Sequence, residues 1–346
     1  MKQRVIPEQR NILVFDRSGK FLNKIGELGR GPGEYIGVDN IFLNHERSSI
    51  YVTCFVFLYE YELNGKFIRS FRLPEVNESV SKISYLGNDL FVASTFYNRE
   101  SKLIHYIFDS NGEVVKYFPP LFHYDRKDVE TETRLMSSIP PFSIDRDVYV
   151  KDDANDTLYV IANLNLQPTY VFDLGKYAHP SGKKNKKGQI EIMPVESRYA
   201  TDLYAKISTV TGTPKYLFYE LRAPSGVPRP TARPGFFMGM QSPNDVIVHG
   251  IYNRATNVNI LLDTDQFHQK GLVNDINGGL SFFPKYYAGN GVVADIWQAE
   301  DMIEILTQKY FAGIKIKDQE SHQKLRDLLR KLDEEDNPVV VVAKLK

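Results

Sequence analysis

The sequence predicts an all-β fold, a β-propeller, from a repeat, its period and its turn residues. Three segments of the chain share an aromatic residue, an acid, a Ser or Asn, a Gly and then apolar residues at fixed places. These segments are VFDRSGKFLNKI at 14–25, EYELNGKFIRSF at 60–71 and IFDSNGEVVKYF at 107–118. Their turn glycines are Gly19, Gly65 and Gly112, so the repeat period is 46 to 47 residues. A period of ~40–50 residues with a hairpin in each copy is typical of propeller blades.

Apolar runs rich in β-branched and aromatic residues follow in the order expected for two four-stranded blades. The predicted strands are 40–44, 49–54, 57–63 and 67–73, then 80–86, 89–96, 103–108 and 113–118. A looser fourth copy has strands at 157–161 and 169–174, joined by a turn at 163–167. A fifth copy is IYNRATNVNILL at 251–262, where Asn257 takes the place of the turn glycine. Asn tolerates the left-handed backbone that such a turn requires.

The rest of the chain is predicted as insertions, one helix and a last strand within a single domain, 1–346. The insertions are 177–202, with the basic run KKNKK, and 222–236, which is rich in Pro and Arg. An amphipathic helix is expected over 318–335, because its leucines recur at i, i+3, i+4 and i+7 and Asp318 is a suitable N-cap. The segment NPVVVVAKLK that follows has the β-branched composition of a strand.

Composition narrows the classes of partner. Lys+Arg and Asp+Glu both number 43, so no net positive charge favours nucleic acid or an anionic membrane. The single cysteine, Cys54, excludes a disulfide framework within the chain, and we expect it to be a buried strand residue. The opening MKQRVIPEQR lacks an apolar region, so we expect no signal peptide, and no membrane span is predicted. We expect a monomer without a cofactor.

Four segments together resemble a bacterial family of six-bladed, NHL-like β-propellers, mostly uncharacterised lipoproteins. GELGRGPGEY at 26–35 resembles its G-x-GPGE-[YF] signature. NDTLYVI with PTYVFDLGKY at 155–177, GLVNDINGGLSFFP at 271–284 and the C-terminal NPVVVVAKLK resemble further family segments in the same order. The resemblance implies six blades, an exported or lipid-anchored setting, and a glycan or peptide ligand.

This chain departs from that family at its start, because it opens almost directly on the first hairpin, ILVFD. Roughly one blade's worth of leading strands is missing from the family pattern. We therefore expect an incomplete terminal blade, in which the C-terminal strand pairs directly with the hairpin at 12–25. Such closure would cover an otherwise open sheet edge.

The glycine-rich segment GRGPGEY supplies the first candidate binding residues, Arg30, Glu34 and Tyr35. A phosphate-binding loop is an alternative, but such loops lead into a helix and this one precedes a strand-like segment. A tight crossing between blades is the favoured interpretation. Arg30 and Glu34 could then line one face of the ring.

Two other segments supply the remaining candidates. NDINGG, at 274–279, contributes Asn274 and Asp275, and Asp275 is the first choice for a pore-facing polar group, with metal binding as the lesser alternative. The Pro/Arg insertion contributes Arg229 and Arg233 as recognition residues, since long loops are often functional. KDDANDT, at 151–157, has the acid density of a Ca²⁺ loop but lacks its Gly and terminal acid, so a solvated turn is favoured.

No catalytic motif is present: the seven histidines are scattered, and no metal-ligand spacing or nucleophile elbow occurs. The leading hypothesis is a non-catalytic binding or scaffold protein that presents loops on one face of a propeller. The alternative is a hydrolase or lyase with a polar or metal site at the propeller axis, where each blade contributes a residue. A third interpretation is a truncated gene product without activity of its own.

Overall fold

A computed structural model describes most of the chain and places it in two compact units. The described residues are 4–7, 11–16, 19–44, 46–76, 80–97, 102–119, 135–136, 139–151, 156–177, 205–223, 246–262 and 271–345. The first unit comprises Met1–Val171 with Ser181–Met193, and the second comprises Phe172–Pro180 with Pro194–Lys346. Each unit is described by itself below.

The first unit consists of antiparallel meanders, in which each strand pairs with the next one along the chain. The first meander has three strands, β1 (Arg4–Pro7), β2 (Ile12–Phe15) and β3 (Phe21–Ile25). Two short parallel strands follow, β4 (Glu27–Leu28) and β5 (Glu34–Tyr35). The second meander has four strands, β6 (Asn40–Asn44), β7 (Ser49–Cys54), β8 (Phe57–Glu62) and β9 (Phe67–Arg72). The third has β10 (Val80–Gly87), β11 (Leu90–Tyr97), β12 (His105–Asp109) and β13 (Val114–Phe118). A short strand, β14 (Leu135–Met136), also pairs with β11. The last is β15 (Phe142–Ile144), β16 (Asp147–Lys151), β17 (Thr157–Ala162) and β18 (Asn165–Val171).

The second unit has one more meander and a sheet that carries the helices. The meander is β19 (Lys206–Gly212), β20 (Tyr216–Ala223), β21 (Val246–Asn253) and β22 (Val258–Leu262). The other sheet is β23 (Tyr286–Tyr287), β24 (Val292–Trp297) and β25 (Val339–Lys344). Three helices lie between β24 and β25 in the sequence: α1 (Ala299–Ile305), α2 (Gln308–Ala312) and α3 (Gln319–Leu329).

The strand pattern is that of a β-propeller, but six blades are not confirmed. Five of the described sheets are meanders of three or four consecutive strands, the form expected of blades. The sheet of β23 to β25 differs, because its last strand arrives only after the three helices. The coarser prediction, an all-β propeller-like fold, is confirmed. The one helix that was predicted corresponds to α3, and the shorter helices α1 and α2 were not predicted.

The predicted pairing of the C-terminal strand with the first hairpin is wrong. Strand β25 pairs with β24 in register from Val292↔Lys344 to Trp297↔Val339. Strand β2 instead has β1 on one side and β3 on the other. The short segment RVIP supplies that extra strand; it is only four residues long, and this length hid it in the sequence pattern.

The turn residues behave as predicted. Gly19, Gly65 and Gly112 have φ values of 85°, 93° and 81°, and Asn257 has a φ of 57°. Gly65 has a second constraint, because a Cβ there would overlap the backbone carbonyl oxygen of Lys24. The fourth copy differs from its prediction: β18 begins at Asn165, so its turn is shorter than 163–167.

The C-terminal helix begins where predicted and ends early. The Asp318 side chain accepts a hydrogen bond from Ser321 N at 3.1 Å, and this bond lowers the pKa of the carboxyl. Helix α3 ends at Leu329 rather than at 335, with Arg330 as its C-cap. Beyond the cap, the Asp333 side chain accepts a hydrogen bond from Glu335 N in a turn. Leu325 of the predicted stripe is buried with Trp297, Met302, Leu306 and Tyr310.

A buried charge network joins two meanders of the first unit. The Glu60 side chain is fully buried and accepts hydrogen bonds from Ser49 Oγ and Arg69 Nε, both at 2.6 Å. Arg69 also donates to Asp89 at 2.8 Å, in the turn between β10 and β11. The network therefore ties the β6–β9 meander to the β10–β13 meander.

Candidate functional site

The predicted GRGPGEY site is a self-contained loop between β4 and β5. Gly31 N donates to the Glu34 carboxylate at 2.8 Å, and Glu34 N donates to the Gly31 carbonyl at 3.0 Å. The Glu34 side chain lies so close to Gly29 that a Cβ at this glycine would overlap it. The Glu34 carboxylate thus stabilises its own loop, and its role in binding stays a prediction.

Tyr35 is a buried anchor of the same loop. Its hydroxyl donates to the Ile25 carbonyl at 2.8 Å, and its ring packs edge-on against Tyr61 at 6.3 Å. Desolvation by burial raises the pKa of the Tyr35 phenol. Of the three residues predicted here, only Arg30 is exposed. The favoured interpretation of a tight crossing fits this geometry.

The NDINGG segment, in the second unit, is a docking turn for the helices. Asn274 Oδ1 accepts from Asn277 N at 3.3 Å, while the Gly279 carbonyl accepts from Tyr310 OH at 2.9 Å. Asp275 forms an ion pair with Lys317, and the Asp275 side chain is well exposed. Asn274 and Asp275 therefore serve the packing of the turn within this unit.

Arg229 and Arg233 lie outside the described residues, as does most of both predicted insertions. Most of the acidic segment KDDANDT, residues 152–155, lies outside them too. Within the described ranges, no group of three or more His, Cys, Asp or Glu side chains is arranged to hold a metal ion. In the same ranges, no helix has the length and apolar character to cross a bilayer.

An exposed turn of the first unit, which sequence reasoning missed, carries three consecutive apolar residues. We call Phe55 and Val56, between β7 and β8, together with Phe57, the first residue of β8, the apolar tip. Phe55 is 69% exposed, and Val56 and Phe57 are also exposed. Cys54 pairs with Phe57 across the hairpin, so Phe55 and Val56 form a two-residue turn.

The apolar tip includes a backbone conformation that an aromatic residue rarely adopts. Phe55 has a φ of 53°, a left-handed conformation that two-residue hairpin turns usually assign to Gly or Asn. The turn is nevertheless well anchored: Phe55 N donates to Asp39 Oδ2 at 2.6 Å, and the Val56 carbonyl accepts from Leu73 N at 2.7 Å. Phe57 lies 6.2 Å from the Tyr59 ring, which stacks on Tyr61 in the core.

A polar cluster in the second unit centres on His249. This residue and Glu220 are direct cross-strand partners on β21 and β20, and His249 Nε2 lies 3.4 Å from Glu220 Oε1. The bond from His249 lowers the pKa of the Glu220 carboxyl, against the effect of desolvation. Among the described residues, the buried Nδ1 of His249 has no hydrogen-bond partner.

Phe283 joins this histidine to a second charge pair. Its ring stacks on the imidazole at 3.9 Å with an interplanar angle of 8°. Its backbone N donates to Asp295 Oδ2 at 3.0 Å, and Asp295 Oδ1 lies 3.2 Å from Lys285 Nζ. His249, Glu220, Lys285 and Asp295 thus form one group of ionisable side chains around a phenylalanine.

A serine–histidine pair in the first unit is sealed from solvent. Ser94 Oγ lies 2.8 Å from His105 Nδ1 on the neighbouring strand. Both side chains are buried, and burial lowers the pKa of His105 to about 4. Since solvent does not reach either group, the pair is structural and not a nucleophile with its base.

The comparison with protein families covers nearly the whole chain. Residues 2–344 match the family described as Domain of unknown function (DUF4934). The chain belongs to the DUF4934 family. None of the curated proteins compared with this DUF4934 chain matches it.

Solved structures resemble the DUF4934 chain in fold. A Bacteroides fragilis protein whose name describes it as exported has 19% identity and a TM-score of 0.62, over 97% of this chain and 85% of its own. A DUF4221-family protein from Bacteroides vulgatus has 12% identity and a TM-score of 0.45, and the match covers 75% of this chain and 79% of the other. The Pan2 WD40 domain of Neurospora crassa has 10% identity and a TM-score of 0.40, and the match covers 75% of this chain and 61% of the other. Only the first score bears on the fold, and it supports a propeller-like arrangement.

The site features that sequence reasoning missed in the DUF4934 chain carried different signals. The predicted strands 49–54 and 57–63 left Phe55 and Val56 as a connection, but neither is a turn residue that would mark the connection as a site. Glu220 and His249 lie on either side of a long insertion, and only the strand register brings them together. Three successive aromatics at alternate positions, Phe57, Tyr59 and Tyr61, were the one available hint of the aromatic path to the surface.

Proposed function

We propose that this DUF4934 chain is a non-catalytic binding domain whose apolar tip takes a partner peptide. The observation that carries the proposal is Phe55, an exposed aromatic side chain on a left-handed backbone. The left-handed conformation costs about 1–2 kcal/mol for a residue with a Cβ. Gly or Asn would remove that cost and the exposed ring together, so folding alone does not account for phenylalanine here.

Peptide is favoured over glycan by the groups that surround the tip. Sugar recognition combines an aromatic face with polar groups that hydrogen-bond the hydroxyls. The nearest such group in contact with the tip is Asp39, whose Oδ2 accepts the Phe55 N–H. Three adjacent apolar residues instead offer the aromatic, desolvated contact that protein interfaces use at their centre.

An exported setting is part of the same proposal. It rests on the fold similarity to the B. fragilis protein whose name describes it as exported, and on the resemblance to six-bladed, NHL-like lipoproteins through the GPGE segment. The partner would then be a peptide or unfolded segment in the cell envelope.

The test uses the variant Phe55→Asn, which keeps the backbone hydrogen bond to Asp39 and suits the positive φ at this position. A random peptide library displayed on phage is selected on the wild-type protein and counter-selected on this variant. We expect peptides rich in apolar and aromatic residues that bind wild type and lose at least about tenfold in affinity on F55N. We also expect the variant to unfold at the same temperature as wild type or higher, which separates loss of binding from loss of fold.

Leu43→Asn is the matched control, since Leu43 is an exposed apolar residue on β6 of the same sheet, away from the turn. Selected peptides should bind this variant as they bind wild type. A glycan array provides the competing outcome: a glycan bound in a Phe55-dependent way would overturn the peptide assignment. If no selected peptide distinguishes wild type from F55N, the apolar tip is not the binding surface.

A hydrolase or lyase is a second candidate, favoured by the Glu220–His249 pair. A carboxylate 3.4 Å from an imidazole nitrogen is a pair of groups that general acid–base catalysis commonly uses. Chromogenic esters and glycosides, together with uronate-containing polysaccharides, would reveal turnover. Activity that disappears in His249→Gln would support this candidate over the binding domain.

A further inference from the structure

Strand β22, the last of its meander, differs from the last strands of the other four meanders. Protein sheets protect an exposed edge with charged side chains, proline or a bulge, because unpaired backbone groups invite another strand. Strand β3 carries Lys24, β9 carries Arg69 and Arg72, β13 carries Lys116 and β18 carries Pro168. The sequence of β22 is VNILL, without charge or proline.

The regularity of its pairing also distinguishes β22 from the last strands of the other meanders. A bulge or irregularity interrupts the pairing that holds each of β3, β9, β13 and β18. Strand β22 pairs with β21 without interruption, from Asn253↔Val258 to His249↔Leu262. Its edge is therefore regular over all five residues, the form that accepts a further strand most readily.

The side chains of β22 are apolar and exposed on both faces. Val258 and Ile260 lie on one face and Leu261 on the other, and all three are between 50% and 55% exposed. The one polar side chain, Asn259, is held by a hydrogen bond from Tyr219 OH to its Oδ1 at 2.9 Å. Among the described residues, β21 is the only strand that pairs with β22.

We propose that β22 pairs antiparallel with β22 of a second copy of this chain, forming a two-fold symmetric dimer. An uncharged strand meets no repulsion from itself, and the chain as a whole has no net charge to keep two copies apart. Full overlap of two five-residue antiparallel strands places their common centre at the middle residue, Ile260. Val258 of one copy then lies opposite Leu262 of the other, so apolar side chains meet along the face that carries Val258, Ile260 and Leu262.

The dimer is independent of the proposed binding function, because β22 belongs to the second unit and the apolar tip to the first. Sedimentation equilibrium from about 1 μM to about 500 μM covers the range in which small interfaces dissociate. We expect the mass to rise from the 39.7 kDa of one chain toward twice that value. A monomer at every concentration would overturn the proposal.

Ile260→Lys places two like charges directly opposite each other at the two-fold axis, so we expect the dimer Kd to rise at least about tenfold. Ile68→Lys is the matched control, an exposed isoleucine on β9, an edge that already carries arginines. It should leave the dimer unchanged. If both variants weaken the dimer equally, the contact does not lie at β22.

A cysteine scan tests the register. Ile260→Cys should form a disulfide-linked dimer under mild oxidation, since opposite residues approach closely enough for that bond. Val258→Cys should not, because each copy's residue 258 lies two places from the axis. The native Cys54 is buried and should not contribute. Equal cross-linking of both variants would contradict the antiparallel register centred on Ile260.

Discussion

The buried imidazole of His105 makes the stability of the first unit depend on pH in a predictable direction. Burial lowers its pKa from 6.5 to about 4 in the folded chain. Between these values the unfolded chain binds a proton that the folded chain does not. Stability is therefore fully present above pH 6.5, is lost as the pH falls toward 4, and loses nothing further from this group below 4.

The magnitude follows from the two pKa values. Between pH 7.5 and pH 4.5, linkage at this single group removes about 2–3 kcal/mol of unfolding free energy. Carboxylates titrate over the same range, so the wild-type curve alone does not isolate the effect. The difference between wild type and His105→Asn does, because all other groups are common to both. That difference should shrink by about 2–3 kcal/mol on acidification.

Urea unfolding followed by far-ultraviolet circular dichroism, at a series of pH values, measures this difference. Ser94→Ala is the control: it removes the hydroxyl beside His105 but leaves the imidazole buried. Its stability gap to wild type should stay constant with pH. An NMR titration in which the His105 ring protons shift near pH 6.5 would refute the reasoning, as would a gap between wild type and H105N that does not change with pH.

Three other substitutions test features of the fold. Gly29→Ala should lower the free energy of unfolding by about 1–2 kcal/mol, because the new Cβ displaces the Glu34 carboxylate that stabilises the loop. Gly37→Ala is the control: a Cβ there meets open space, so urea unfolding should be nearly unchanged. Glu60→Gln should lower the free energy of unfolding by about 2–4 kcal/mol, since it removes the buried charge that Arg69 Nε faces and leaves Asp89 as the carboxylate still paired with Arg69. An unchanged urea midpoint would contradict the network. Asp318→Ala should lower the urea midpoint and speed hydrogen exchange in the first turn of α3, because Ser321 N loses its acceptor. Equal exchange in both proteins would exclude the cap.

The sequence predicted the strands best where turn chemistry is explicit. Gly65 and Asn257 mark hairpins because few residues adopt a positive φ, and the structure has that conformation at both. Phe55 breaks the rule, so its turn was invisible to the same logic. The leucine spacing alone would continue α3 toward 335, but the structure has a turn at Asp333, where this side chain accepts from Glu335 N.

The candidate sites were harder to predict, because they depend on pairings across the sheet. Glu34 looked available for a ligand, and only its position relative to Gly31 shows that the loop already uses its carboxylate. His249 became notable through its register with Glu220, which no spacing in the sequence encodes. The resemblance to a known propeller family anticipated the architecture and gave no guide to either residue.

The chain's one thiol and one indole lie in different units. Cys54 is buried in the first unit, and Trp297 is buried in the core of the second. The rate at which a thiol reagent modifies Cys54 therefore reports local opening of the first unit, while tryptophan fluorescence reports the environment of the second. The unmodified protein thus contains one natural probe in each unit. Comparing the rate of thiol modification with the change in tryptophan fluorescence would show whether the two units open together or in sequence.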